Sequence, residues 1–341
     1  MTSKLLVTGG AGFIGSEFVR LAVAGGHQVT VLDALTYAGH RANLEGVQGK
    51  GSFELIEGNI CDAPLVARLL RDHKIQQVVN FAAESHVDRS ITGPAEFIQT
   101  NVVGTFTLLN ESLKYRDQLS PAQQGEFRFV QVSTDEVYGT LRATGKFNEK
   151  TPYAPNSPYS ASKGSGDLLA RSWFHTYGFP VVVTNCSNNY GPRQFPEKLI
   201  PLMITSAISG KPLPVYGNGT NVRDWIHVED HCAGVMLALK KGRAGQTYCF
   251  GGNAERANID LVRELCSCLD KLSPRADGKP HSSAIQFVKD RPGHDFRYAI
   301  DDTLAQKELG FTRKYKLESG LEATVQWYLK NSAWCQQVQR T

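Results

Sequence analysis

The sequence predicts an α/β protein, a doubly wound parallel sheet followed by a smaller mixed α/β C-terminal lobe. Three observations carry this expectation. Short apolar runs alternate with helical patterns up to about residue 190. A glycine-rich turn joins the first such run to the first helix. After Gly191-Pro192 the turns crowd together, as in Lys211-Pro-Leu-Pro214 and Gly217-Asn-Gly219, and the regular alternation is lost.

In order, residues 4–8 read as a strand and 15–24 as a helix ending at Gly25-Gly26. Strands follow at 28–32 and 53–57, then a helix over 64–73 capped by Asp62. Residues 77–81 form a fourth strand, 96–114 a long helix, and 127–133 a fifth strand. Ser157 caps a helix with Pro158 at its first position, running to about Tyr177, before a sixth strand at 181–185. Further helical patterns cover 228–240, 259–271 and 317–330, and 273–283 is loop-like. The expected division is 1–190 for a first lobe and 191–341 for a second, with elements interleaving across an indistinct boundary.

Composition removes several functions. At 341 residues, 41% hydrophobic and 21% charged, the chain is too apolar to be disordered and long enough for a sizeable core. A net charge of +4 from scattered Lys and Arg argues against a nucleic-acid surface but leaves room for a local anion. No apolar run approaches the ~20 residues of a membrane span, and no leader pattern precedes the first strand. The seven cysteines are odd in number and lack zinc-type spacing, so reduced thiols, no metal and a cytoplasmic location are expected.

Thr8-Gly-Gly-Ala-Gly-Phe-Ile-Gly15 joins strand to helix, with Gly9, Gly12 and Gly15 three apart. Such a turn offers backbone N–H groups at a helix N-terminus and suits a pyrophosphate, as in Rossmann sheets. Asp33 closes the second strand. A carboxylate there accepts from ribose hydroxyls and repels a 2′-phosphate, which favours NAD over NADP. A tight turn with no ligand is the bland alternative, and the joint context weighs against it.

The glycine spacing is similar to that of the extended short-chain dehydrogenase/reductase superfamily. Tyr159-Ser-Ala-Ser-Lys163 strengthens the resemblance: residues four apart share a helix face, and an ammonium beside a phenol lets it act as a base. Ser133-Thr-Asp-Glu-Val-Tyr-Gly139 places two adjacent carboxylates, Asp135 and Glu136, at the carboxyl end of the fifth strand. A simple epimerase needs only Thr134 and the Tyr; an added acid and base suit elimination across neighbouring carbons.

From Leu5 to about Trp327 the chain resembles the dTDP-glucose 4,6-dehydratase family. The resemblance rests on these runs and on Ala82-Ala-Glu-Ser-His-Val-Asp-Arg-Ser90, Asn188-Asn-Tyr-Gly-Pro192, Phe195-Pro-Glu-Lys-Leu-Ile-Pro201, Arg223-Asp-Trp-Ile-His-Val-Glu-Asp230 and Asp290-Arg-Pro-Gly-His294. It implies that Tyr159 takes the 4-hydroxyl proton as hydride leaves carbon 4 for a tightly held NAD, with Thr134 bonding that oxygen. Glu136 then takes the carbon-5 proton, Asp135 protonates the departing 6-hydroxyl, and hydride returns to carbon 6. Lys163 holds the nicotinamide ribose.

The resemblance also implies Gly9, Gly12, Phe13, Ile14, Gly15 and Asp33 around NAD. Asn59, Ile60, Ala82, Ala83, Ser85, Thr100 and Asn189 complete that set, beside Tyr159 and Lys163. The pattern departs at Asn59, where the family has Asp. An amide oxygen still accepts from the adenine amine, and a lower affinity is expected. For the substrate it implies Ser85, His86, Thr134, Asn188, Lys198, Leu199 and Pro214, then Tyr216, Arg223, Asn258, Arg291, His294 and Tyr298. Lys198 and Arg223 are the candidates for the diphosphate. The helices 96–114 and 157–177 resemble those that form a dimeric four-helix bundle. Three rivals stay open: the same chemistry on UDP-glucose or another nucleotide sugar, a 4-epimerase or decarboxylase, and a non-catalytic NAD-binding sensor.

Overall fold

In the computed structural model, which describes residues 2–290 and 293–339, seven parallel strands form the main sheet. They are β1 (Lys4–Thr8), β2 (Gln28–Asp33), β3 (Ser52–Glu57), β4 (Gln77–Asn80), β5 (Arg128–Thr134), β6 (Val181–Cys186) and, after three strands of the second lobe, β10 (Thr247–Phe250). Those three are β7 (Asn188–Tyr190), β8 (Leu213–Tyr216) and β9 (Val222–His227); β11 (Glu255–Ala257) and β12 (Ile285–Val288) follow. The order β10-β6-β5-β4-β1-β2-β3 reverses direction beside β1, so a crevice opens at the carboxyl ends of β1 and β4. Ligands of such sheets bind there.

Helices cover both faces. Phe13–Ala24, Val228–Lys241 and Thr303–Leu309 bury one face, on a core that includes Phe18, Val31, Val130, Val235 and Phe250. Ala63–Asp72, Thr105–Asp117 and Pro158–Tyr177 bury the other, around Leu69, Leu108, Phe129 and Trp173. Asp62 caps its helix, accepting from Leu65 N at 3.0 Å. The second lobe joins β7, β9 and β11 in one sheet and β8 with β12 in another, over a core of helices Leu199–Ile208, Asn258–Leu272 and Leu317–Lys330. The lobes interleave: β10 and two covering helices of the main sheet come from sequence beyond residue 191.

The long helix expected over 96–114 is interrupted. Val87–Thr92 and Pro94–Phe97 precede a wide π-turn segment, Ile98–Gly104, which leads into Thr105–Asp117. Tertiary contacts fix the wide turn. Asn101 is buried there, donating to Glu84 O at 3.0 Å and accepting from Glu84 N at 2.8 Å. Gly104 lies against Ile60 with no room for a β-carbon. The bulge also brings Thr100 to the crevice.

Candidate active site

Gly9 carries the positive φ that the loop after β1 requires, +67°, and Gly12 caps the helix Phe13–Ala24. The helix therefore starts two residues earlier than the sequence suggests. Asp33 is 8% exposed; its Oδ2 accepts from Ala11 N at 2.8 Å and its Oδ1 from Leu35 N at 2.9 Å. Burial raises its pKa, and these two N–H groups oppose the shift. The carboxylate braces the glycine loop and still has lone pairs for ribose hydroxyls.

One cleft takes in this loop, Asp33, Asn59, Ile60, Ala82, Ala83, Ser85, Thr100 and Asn189. The same cleft reaches Thr134, Asp135, Glu136, Tyr159 and Lys163. All residues expected around NAD, and all five expected to be catalytic, thus line a single space. A dinucleotide fits its chemistry: N–H groups at a helix N-terminus, a buried carboxylate at the end of β2, and small residues between. Asn59 Oδ1 already accepts from Cys61 N at 2.8 Å, so it reaches the cleft with one lone pair engaged.

The catalytic candidates hang on two elements. β5 ends at Thr134 and continues into the 3₁₀ turn Asp135–Tyr138. Thr134 Oγ1 accepts from Glu136 N at 3.3 Å and donates to Asp135 Oδ1 at 3.3 Å. Asp135 is 1% exposed, and its Oδ2 is buried without a hydrogen bond. Burial first, then Glu136 and Asp224, hold its carboxyl well above the usual range, which favours the protonated form. The helix Pro158–Tyr177 is set by a capping box in which Ser157 and Ser160 exchange side-chain bonds. It aims Tyr159 and Lys163 at the same point.

The phenol differs from expectation. Burial, with Glu136 and Cys186, holds Tyr159 well above its ordinary value, while the Thr134 hydroxyl pulls the other way. Desolvation outweighs the influence expected of Lys163. Lys163 Nζ donates to Val132 O at 2.7 Å, and burial lowers its own pKa.

Asp167 is a residue the motif reading missed. It is fully buried, and its Oδ2 accepts from Ser133 Oγ at 2.7 Å, Tyr153 OH at 3.0 Å and Asn185 Nδ2 at 3.4 Å. The signal was available: Tyr159, Lys163 and Asp167 recur every four residues on one helical face. A second missed residue is His231, whose Nδ1 lies 2.9 Å from Asn189 Oδ1. Asn189 Nδ2 donates to Ser187 O, so its Oδ1 is the acceptor and Nδ1 carries the proton.

The expected substrate residues are less gathered. Ser85, Asn188 and Lys198 line the cleft; Lys198 Nζ donates to Ser85 O at 3.0 Å, and Asn188 Oδ1 is buried without a hydrogen bond. His86 caps the helix Val87–Thr92, accepting from Arg89 N, and burial with Lys198 nearby lowers its pKa to about 4. Leu199 opens its helix one residue past Lys198.

Among the described residues, the others do not line this cleft, although Arg223 acts on Asp135 and Glu136 on Tyr298. Arg223 is 5% exposed, donates to Val222 O at 2.8 Å and Asp295 O at 3.0 Å, and stacks over Tyr298 at 4.2 Å. Tyr298 OH donates to Asp295 Oδ2 at 2.5 Å. Pro214 and Tyr216 lie on β8, and Tyr216 OH reaches Asp88 at 3.3 Å across the lobes. His294 Nδ1 lies 2.7 Å from Asp290 Oδ1, and Asn258 opens the helix Asn258–Leu272. Arg291 lies outside the described residues. Among the described residues, no group of three or more His, Cys, Asp or Glu side chains could hold a metal ion, and no helix is long and apolar enough to cross a membrane.

Comparison with known proteins gives the same direction. The profile described as GDP-mannose 4,6 dehydratase matches residues 6–324. A dTDP-glucose 4,6-dehydratase of Xanthomonas campestris pv. campestris (strain B100) is 57% identical over 333 residues, covering 98% of this chain and 95% of the relative. The dTDP-glucose 4,6-dehydratase 1 of Escherichia coli (strain K12) is 49% identical over 345 residues, with 98% and 95% covered. A dTDP-glucose 4,6-dehydratase from Streptomyces venezuelae, solved with NAD bound, superposes with a TM-score of 0.89 at 47% identity, covering 98% of this chain and 99% of that one. With nearly the whole length of both partners aligned at such identity, the chain belongs to the dTDP-glucose 4,6-dehydratase family.

Proposed function

We propose that the protein dehydrates dTDP-glucose to dTDP-4-keto-6-deoxyglucose with NAD as a resident cofactor. The observation that carries this reading is the meeting of Asp135 and Glu136 with Tyr159 and Lys163 in the cleft that begins at the glycine loop. The same pair of carboxylates separates it from an epimerase, which has no use for both.

Gly9, Gly12 and Gly15 hold the pyrophosphate of NAD, Asp33 the adenosine ribose, and Lys163 the nicotinamide ribose. Bound there, NAD would supply a hydride acceptor for carbon 4 and a hydride donor for carbon 6. Tyr159 takes the 4-hydroxyl proton, and Thr134 hydrogen-bonds the same oxygen. The ketone at carbon 4 acidifies the neighbouring carbon 5, whose proton goes to Glu136 and returns from it to carbon 5 once carbon 6 has received hydride. Asp135, whose protonated form burial favours, gives its proton to the 6-hydroxyl, which leaves as water. Lys198 and Arg223 pair with the diphosphate. Asn188, Tyr216, Asn258, His294 and Tyr298 border the nucleotide and sugar, beside Ser85, His86, Leu199 and Pro214.

The active form is a homodimer, joined through the helices that flank the π-turn and Pro158–Tyr177. Ile98 and Val103 on the π-turn, with Phe106, Leu168 and Tyr177 on these helices, stand exposed, an apolar surface that supports a four-helix bundle. Its compartment is the cytoplasm, which the seven free cysteines support.

Mass spectrometry of dTDP-glucose, UDP-glucose and their N-acetyl analogues after incubation tests the reading. Loss of one water from dTDP-glucose is expected. No loss from any of the four overturns it, and loss from UDP-glucose alone changes the nucleotide but keeps the chemistry.

A further inference from the structure

Lys163 sits in a place that disfavours its charge. It is 5% exposed, and burial is the main influence on its pKa, pushing it down. The strongest opposing influence is Asp167, one helical turn further along the same face. Asp167 is itself 0% exposed. Three neutral donors converge on its Oδ2: Ser133, Tyr153 and Asn185. Its Oδ1 is buried without a hydrogen bond. Leaving a carboxylate oxygen unmatched in the interior is costly, and an amide or apolar side chain would fill the position at lower cost. The retained charge therefore points to an electrostatic task. The network also reaches the chemistry, since Ser133 precedes Thr134 and Asn185 Nδ2 donates to Thr134 O at 3.0 Å.

We propose that Asp167 is a positioning residue: its carboxylate keeps Lys163 an ammonium inside the cleft, so that Lys163 can hold the cofactor and favour proton loss from Tyr159. The inference rests on the catalytic reading of Lys163 and Tyr159. The titratable groups around the pair are few. Tyr153 comes from the segment before the helix, Tyr138 from the turn after β5, and Cys186 from the end of β6. Cys249 on β10 faces Tyr138 and Tyr153. All four are neutral at pH 7, because burial raises each of them. Asp167 itself is raised only to about 6, with Lys163 and its three donors opposing burial, so it is mostly ionised there.

The test uses the purified full-length protein and Asp167→Asn, which keeps an acceptor at Oδ2 and puts its amide nitrogen at the unmatched position. The first readout is the carbon-13 titration of the Lys163 Cε signal, assigned by its loss in Lys163→Arg. In the wild type Lys163 is expected to remain an ammonium through neutral pH. In Asp167→Asn its midpoint falls by about one pH unit or more. The second readout is the pH profile of dehydration. The alkaline limb of kcat moves down with the Lys163 midpoint and kcat at pH 8 falls about tenfold, while KM stays within about threefold. Unchanged titration and profile overturn the proposal. A neutral Lys163 at pH 7 in the wild type overturns it as well, even where the variant fails to fold. If Lys163 titrates as expected but no sugar nucleotide is dehydrated, the counter-charge stands and the catalytic reading falls.

Discussion

The three loop glycines look equivalent in the sequence, but replacing Gly9 or Gly12 by Ala should have opposite balances of stability and cofactor loss. At Gly9 the backbone has φ +67°, where a side chain costs about 1 kcal/mol. Its added β-carbon would stand 2.6 Å from Ala82 N, 2.7 Å from Ala82 Cα and 2.8 Å from Phe81 C, all backbone. Ordinary contact begins near 3.4 Å, so the loop and the exit of β4 must separate by about 0.8 Å. Overpacking of this kind adds about 1–3 kcal/mol, giving about 2–4 kcal/mol in all. Gly12 has φ −77° and ψ 178°, open to any residue, and its β-carbon would meet only Gly9 O at 3.3 Å. The cost to the fold stays below about 1 kcal/mol, partly offset because Ala narrows the unfolded ensemble. Its methyl would instead project where a pyrophosphate approaches the helix N-terminus.

Thermal unfolding of cofactor-stripped protein separates the two. At about 2 °C per kcal/mol, Gly9→Ala lowers Tm by about 4–8 °C and Gly12→Ala by less than about 2 °C. Titration with NAD should find both weakened at least about tenfold. Equal losses of Tm, or a Gly12→Ala protein with wild-type NAD affinity, would refute this division of labour.

Asp135→Asn and Glu136→Gln should spare the first transfer from carbon 4 and cut water loss by about a hundredfold or more. Reduced-cofactor absorbance after mixing with dTDP-glucose, read beside product mass, checks this; wild-type dehydration in both variants sinks the assignment. Leu168→Glu places a charge in the exposed apolar surface and should convert a dimer to a monomer in sedimentation, whereas a monomeric wild type removes the dimer. His231 is fully buried, and burial lowers its pKa to about 3, so the unfolded chain gains its proton first as pH falls. Stability conferred by the neutral ring is whole above about pH 6.5 and lost on acidification, about 2 kcal/mol of it by pH 5. His231→Gln should flatten that part of the urea-denaturation profile, and an unchanged slope is the contrary result. Asn59→Asp adds a charged acceptor next to the oxygen held by Cys61 N, and calorimetry should show NAD binding about five- to tenfold tighter; equal or weaker binding counts against an adenine amine there.

What was legible in the sequence was local. The start of the helix Pro158–Tyr177 was legible because Ser157 and Pro158 specify it, and its end about Tyr177 is closed by the left-handed Gly178. The glycine loop, Asp33 and the Tyr–Lys pair were legible for the same reason, each being decided by a few neighbouring residues. The π-turn Ile98–Gly104 was not, because contacts of Asn101 with Glu84 and of Gly104 with Ile60 hold it open from outside the helix. β10 was missed as well. It is four residues long, and its partner lies far back in the chain, with Thr247 opposite Val183. The substrate residues of the second lobe are scattered over separate elements, so spacing alone could not say which of them face the cleft.

The adjacency of Asp135 and Glu136 looks at first like a conflict, since two neighbouring carboxylates repel and tend to share one fate. The local backbone resolves it. After Thr134 the chain enters a 3₁₀ turn, where successive side chains diverge by about 120°. Asp135 is thereby turned into the interior, at 1% exposure, while Glu136 stays partly exposed at the cleft. Their mutual repulsion then helps: the Glu136 charge is the second largest influence raising the Asp135 pKa, after burial. In the proposed elimination one carboxyl must arrive protonated and the other must be ready to take a proton. A single turn at the end of β5 supplies both carboxyls from consecutive residues, one buried and one facing the cleft, without requiring a second element to bring the acid to the base.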